Sequence, residues 1–132
     1  MTVFVDTSAL YAVLDRDDAN HGAAREAWER LLHGGAVLLT SNYVLLAASA
    51  LVGHRLGVVA LRAFHQDVAP ILRVEWITEP QHRAGVGALL TAGRKRLSLV
   101  DCVSFQLMRE SGAPEAFCFD KHFRAQGFGT IP

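Results

Sequence analysis

A chain of 132 residues with 51% apolar content can bury the core of one domain, expected to span 1–132, and is too short for two. Thirteen basic and thirteen acidic residues cancel, so any nucleic-acid contact must come from a local basic patch rather than from overall charge. No stretch is apolar for long enough to span a bilayer, and Arg16 with the acids after Val13 argues against a signal peptide, so a cytoplasmic protein without membrane contact is expected.

Val3-Phe4-Val5 reads as a short buried strand, two of its residues β-branched and one aromatic. Asp6, Thr7 and Ser8 interrupt it, and Ala9 to Leu14 reads as a helix that Thr7 or Ser8 can cap. Asp15-Arg16-Asp17-Asp18 is a solvated turn. Ala24, Ala27, Trp28, Leu31 and Leu32 then recur at helical spacing until Gly34-Gly35 stops them. Ala36 to Leu39 makes a second strand. Thr40 or Ser41 opens a long apolar helix to about Leu56, ended by Gly57, and Val58 to Val68 continues as helix before Pro70.

Arg73 to Ile77 alternates polar and apolar residues, as an edge strand does. Thr78-Glu79-Pro80-Gln81 has the form of a capping box, and its helix closes in Arg94-Lys95-Arg96. Basic residues there either offset the helix dipole or contact phosphate. Ser98-Leu99-Val100-Asp101 is a second capping box, starting a helix that runs to Gly112. Ala116 to Phe119 reads as a fourth strand ending in Asp120, followed by a short helix or turn from Lys121. Cys102 and Cys118 have no metal-ligand spacing and read as small buried thiols.

Alternation of strands and helices predicts an α/β fold, a three-layer α/β/α sandwich with a central, mostly parallel sheet. In such a sheet the C-terminal strand ends and the following helix N-termini share one edge, where ligands bind. Taken singly, Asp6 is an acid beside a helix N-terminus and Asp101 a capping residue. Taken together, Asp6, Asp101 and Asp120 converge on that edge. Packed carboxylates raise one another's pKa unless a cation sits among them. A hard divalent ion held by oxygen ligands is the natural occupant, Mg²⁺ with Mn²⁺ as substitute. A haloacid-dehalogenase-type phosphatase would need an acid two residues after Asp6, where Ser8 stands.

Four blocks in order resemble the PIN-domain ribonucleases found as VapC-type toxins of bacterial toxin–antitoxin pairs. They are Val3-Phe4-Val5-Asp6-Thr7-Ser8-Ala9, Thr40-Ser41-Asn42-Tyr43-Val44-Leu45, Ser98-Leu99-Val100-Asp101-Cys102-Val103-Ser104-Phe105 and Phe119-Asp120-Lys121-His122-Phe123. The resemblance implies a Mg²⁺-dependent endoribonuclease that leaves a 5′-phosphate and a 3′-hydroxyl, acting on single-stranded or looped RNA. It implies Asp6 and Asp101 as metal ligands, Asp120 as the third catalytic acid, and Thr7 and Ser8 as supports. Arg94, Lys95, Arg96 and Lys121 are then candidates to hold flanking phosphates. As partners it implies an RNA substrate and a cognate antitoxin covering the acid edge, and the apolar excess points to a homodimer.

One departure stands out. The family carries a glutamate on the helix after the second strand, and Ala47 occupies that place here. No Asp or Glu occurs between Glu29 and Asp67, so no shift of alignment supplies one. The chain is then a natural three-acid variant, a degenerate member, or an active nuclease silenced by a carboxylate-to-alanine change. The expectation carried forward is the silenced nuclease. The alternative is a catalytically degenerate PIN-fold protein acting as a protein-binding module.

Overall fold

The structure is a computed structural model that describes residues 1–93 and 96–132. Arg94 and Lys95 of the basic cluster lie outside the described residues. The elements run β1 (Thr2–Val5), α1 (Thr7–Leu14), α2 (His21–His33), β2 (Val37–Ser41), α3 (Asn42–Leu56), α4 (Val58–Ala63), β3 (Arg73–Glu75), α5 (Glu79–Ala92), α6 (Leu99–Ser111), β4 (Glu115–Phe117), α7 (His122–Ala125) and β5 (Gly129–Ile131).

The five strands form one sheet in the order β3-β2-β1-β4-β5, and every pairing is parallel. Phe4 lies opposite Leu39 on one side and Ala116 on the other, which puts β1 at the centre. Val3, Phe4 and Val5 are fully buried, as are Leu39, Thr40 and Ser41 of β2. A strand whose successive residues are all buried is covered on both faces, because side chains alternate between them. This is the three-layer α/β/α arrangement expected from the alternation of elements.

Both capping boxes form. Thr78 Oγ1 accepts from Gln81 N at 3.3 Å while Thr78 N donates to Gln81 Oε1 at 2.9 Å. Ser98 and Asp101 make the same reciprocal pair. Pro70 falls in a 3₁₀ turn, Ala69–Ile71, preceded by a π-helical turn, Phe64–Val68, that buries Phe64. The helix expected over Val58 to Val68 therefore changes pitch after Ala63.

Three expectations need correction. The first helix is capped by Asp6, not by Thr7 or Ser8: Asp6 is extended and its carboxylate accepts from Ser8 N. The fourth strand ends at Phe117, so Asp120 lies three residues beyond it in a turn. Phe119 N leaves the sheet because it donates to Ser8 Oγ at 3.0 Å. A fifth strand, β5, pairs with β4 through Ala116 opposite Thr130. It spans Gly129–Ile131, a glycine, a threonine and one apolar residue that carry no strand signature.

Helices α5 and α6 pack closely at Gly85. A Cβ there would lie 2.6 Å from Val103 Cγ2, inside contact distance. Gly85→Ala must push the helices apart or force Val103 off its rotamer, which costs about 1–3 kcal/mol. Urea unfolding should show a lowered midpoint for Gly85→Ala and a raised one for Gly87→Ala, whose Cβ would meet nothing within 4 Å and which gains about 1 kcal/mol of helix propensity. Equal midpoints for the two variants would contradict the packing.

Candidate functional site

From β1 the chain moves to β2 and β3 on one side and later returns to β4 on the other. The switch point therefore lies above the C-terminal ends of β1 and β4, where open parallel sheets bind ligands. Asp6 follows β1 directly, and its N–H donates to Phe117 O at 3.0 Å. Its carboxylate Oδ2 accepts from Ser8 N at 3.2 Å and from Ser8 Oγ at 2.6 Å. Through the bond from Phe119 N to Ser8 Oγ, one serine fixes the first acid and the segment leading to Asp120.

Asp101 sits in the first turn of α6, where Oδ2 accepts from Ser98 N at 3.0 Å. The capping bond uses one oxygen and leaves the other for a ligand. Asp120 Oδ1 accepts from His122 N at 2.8 Å, which shapes the turn into α7. That short helix is anchored by Phe123, fully buried with its ring 5.0 Å from Phe105 and 6.1 Å from Phe4.

Asp6, Asp101 and Asp120 line one cleft of about 490 Å³, together with Thr7, Ser8, Ala47 and Arg96. The three sequence-predicted acids are thus brought to one edge, with Ala47 facing the same space. An apolar pocket of about 450 Å³ adjoins it, and the two share Ala47 and Val100. Lys121 and Arg124 line a smaller cleft of about 210 Å³ on the other side of Asp120.

Electrostatics at this edge are unfavourable to the bare acids. Burial pushes the Asp6 carboxyl up to about 6, opposed by the Ser8 hydrogen bonds and reinforced by Asp101 and Asp120. Burial likewise raises Asp101, against the pull of its bond from Ser98 N and with Asp120 adding repulsion. Among the described residues, neither Asp6 nor Asp101 has a basic side chain within ion-pair distance. Thr7, which lines the cleft, has its Oγ1 buried without a hydrogen-bond partner, beside carboxylates that carry no countercharge. This donor set fits a hard divalent cation.

Sequence reasoning passed over His122 as a site residue. Among the described residues, one group of potential metal-binding side chains brings a ligand atom from each member within 4.8 Å of the others: Asp101, Asp120 and His122. Asp6 lines the same cleft but stands outside that group. The available signal was a histidine two residues after an acid, in a turn that follows a central strand. Cys118, which lies close by, is no candidate nucleophile: burial first, and Asp6 second, push its thiol up to about 12.

A PIN-domain profile matches residues 3–129. The 23S rRNA-specific endonuclease VapC20 of Mycobacterium tuberculosis is 34% identical over 130 residues, covering 98% of this chain and 97% of that protein. The crystal structure of VapC20, described as a sarcin-ricin loop cleaving toxin, matches with a TM-score of 0.83 over 96% of this chain and 95% of that one. FitAcB from Neisseria gonorrhoeae shares the fold at 14% identity, with a TM-score of 0.70 over 100% of this chain and 97% of that one.

The raised Asp6 pKa makes stability depend on pH in the metal-free protein. Between the unfolded value of 3.8 and the folded value of about 6, the folded state binds more protons than the unfolded one. The Asp6 contribution to stability is therefore greatest below about pH 4 and falls as pH rises to about 6, by about 3 kcal/mol. Asn caps a helix as well as Asp does, so Asp6→Asn keeps the cap and should flatten this slope. Chemical denaturation in EDTA across pH 4–7 measures it. An equally steep slope in Asp6→Asn would contradict the assignment.

Proposed function

The chain belongs to the PIN-domain family, and from that membership together with its acid cleft we propose that it is a divalent-metal-dependent endoribonuclease of the VapC toxin type, silenced at position 47. The observation that carries this reading is the convergence of Asp6, Asp101 and Asp120 on one cleft at the sheet's switch point. The 34% identity to a 23S rRNA-specific endonuclease over nearly the whole chain supports a looped segment of ribosomal RNA as substrate.

In this reading Asp6 and Asp101 hold Mg²⁺ or Mn²⁺, directly or through water, and Asp120 completes the cluster. The bound ion would polarise a bridging phosphate oxygen and lower the pKa of a water. The chain's own groups do the positioning. Ser8 restrains Asp6 and Ser98 restrains Asp101, so neither carboxylate must be ordered when RNA arrives. Arg96 on one side of Asp120, and Lys121 with Arg124 on the other, are placed to hold successive phosphates without reading sequence.

Ala47 faces the cleft from the second turn of α3 with no polar atom in its side chain. A glutamate there would add a fourth carboxylate able to orient the attacking water. Misplacing an attacking group by about 1 Å costs about 100-fold in rate, so its loss removes most of the activity while leaving carboxylates for metal.

Exposed apolar residues bear on the partners. Leu46, Val58 and Val59 are exposed on α3 and α4, and Trp76 and Leu90 lie exposed elsewhere. Scattered apolar residues are ordinary on a monomer, but Val58 and Val59 adjoin in sequence at the start of one helix, beyond the end of the helix that exposes Leu46. They support a homodimer through the surface of α3 and α4, with a cognate antitoxin as the further partner. Light scattering should give twice the mass of one chain, and Val59→Lys should return it to a monomer. A monomer at high concentration would count against the dimer.

Ala47→Glu tests the enzymatic reading. It should raise EDTA-sensitive cleavage of total cellular RNA by about 100-fold or more and make expression without an antitoxin toxic. Asp6→Asn on that background should abolish both effects. If Ala47→Glu is as inactive as the unaltered chain with Mg²⁺ and with Mn²⁺, the nuclease assignment fails and a non-catalytic binding module takes its place.

A further inference from the structure

The side chain that completes the ligand group nearest Asp101 and Asp120 is an imidazole, and the position that carries a carboxylate elsewhere in the family is an alanine. His122 lies on the first turn of α7, with its side chain 21% exposed and its Nε2 3.9 Å from Asp120 Oδ1. One ligand atom from each of Asp101, Asp120 and His122 lies within 4.8 Å of the others. Ligands on opposite sides of one small cation, at about 2.1 Å each, stand about 4.2 Å apart. The three ligand atoms are thus spaced close to what a single small ion requires.

The turn that carries His122 is built, not loose. Its backbone N–H is held by Asp120 Oδ1 at 2.8 Å, and the next residue, Phe123, is fully buried against Phe4 and Phe105. Such packing limits where the imidazole can go. Charge also favours the arrangement, because two carboxylates balance a dication and a neutral imidazole adds a donor without adding repulsion.

We propose that His122 is a nitrogen ligand of the divalent-metal centre at the acid edge, beside Asp101 and Asp120. The inference rests on the metal-dependent reading above and goes further in naming the ligand set. An imidazole nitrogen changes which ions the site prefers. Mg²⁺ favours oxygen donors, whereas Co²⁺ gains from imidazole and Mn²⁺ lies between them. The centre should therefore select Co²⁺ and Mn²⁺ over Mg²⁺ more strongly than an all-carboxylate site would.

Pulsed electron paramagnetic resonance of the chain loaded with Mn²⁺ reads the ligand directly. The unaltered chain should show ¹⁴N coupling from a coordinated imidazole, and His122→Ala should bind Mn²⁺ without it. Labelling histidine with ¹⁵N should change the nuclear frequencies in the unaltered chain, which needs no variant to fold, and His122→Gln serves as the second substitution. By calorimetry His122→Ala should weaken Co²⁺ binding by about tenfold or more and Mg²⁺ binding far less. Bound Mn²⁺ with no nitrogen coupling would overturn the His122 assignment and leave a carboxylate centre standing. No Mn²⁺ binding at millimolar concentration would overturn both the assignment and the metal-dependent reading on which it rests.

Discussion

Ser8 Oγ is the atom through which the candidate site is assembled. It donates to Asp6 at the end of the central strand and accepts from Phe119 on the way to Asp120. Asp6 in turn caps α1 through Ser8 N and joins β4 through its own backbone. A buried carboxylate is expensive unless hydrogen-bonded. Here two bonds from a single residue offset part of that cost and leave enough of it to lift the Asp6 pKa to about 6. The edge is held in a strained electrostatic state by the fold itself. A cation is what would relieve it.

The same economy runs through the other acids. Asp101 closes a capping box with Ser98, and Asp120 holds the turn that starts α7. Each acid has a local structural task that uses one carboxylate oxygen, and all three line the cleft. Truncating any of them would therefore damage a helix start as well as the site, while Asn at the same position keeps most of the local hydrogen bonding. This separates structural from chemical effects at the edge.

Much of this was legible in the chain because the signals are local. Val3-Phe4-Val5 and Leu38-Leu39 are short, fully apolar runs, and Ser98-Leu99-Val100-Asp101 spells out its own cap. The acids could be placed at one edge because parallel βα units put strand ends and helix starts together. What escaped reading depends on partners far away in sequence. Asp6 serves as a cap because Ser8 lies beneath it, while Ser8 itself is engaged by Phe119, 111 residues later. Residues Gly129–Ile131 become a strand only because β4 offers an edge. His122 joins the acids because Phe123 is pinned between β1 and α6, which no property of the His122 neighbourhood announces.

The account stands on the claim that the acid edge is a cation site, with Ala47 affecting catalysis more than binding. Anomalous diffraction from crystals of the unaltered chain soaked in Mn²⁺ tests that claim most directly. The expected result is a peak in the cleft at about 2.1 Å from a carboxylate oxygen of Asp101, weakened in Asp101→Asn. A cleft with no anomalous peak at tens of millimolar Mn²⁺, in crystals whose packing leaves the edge open, would contradict it.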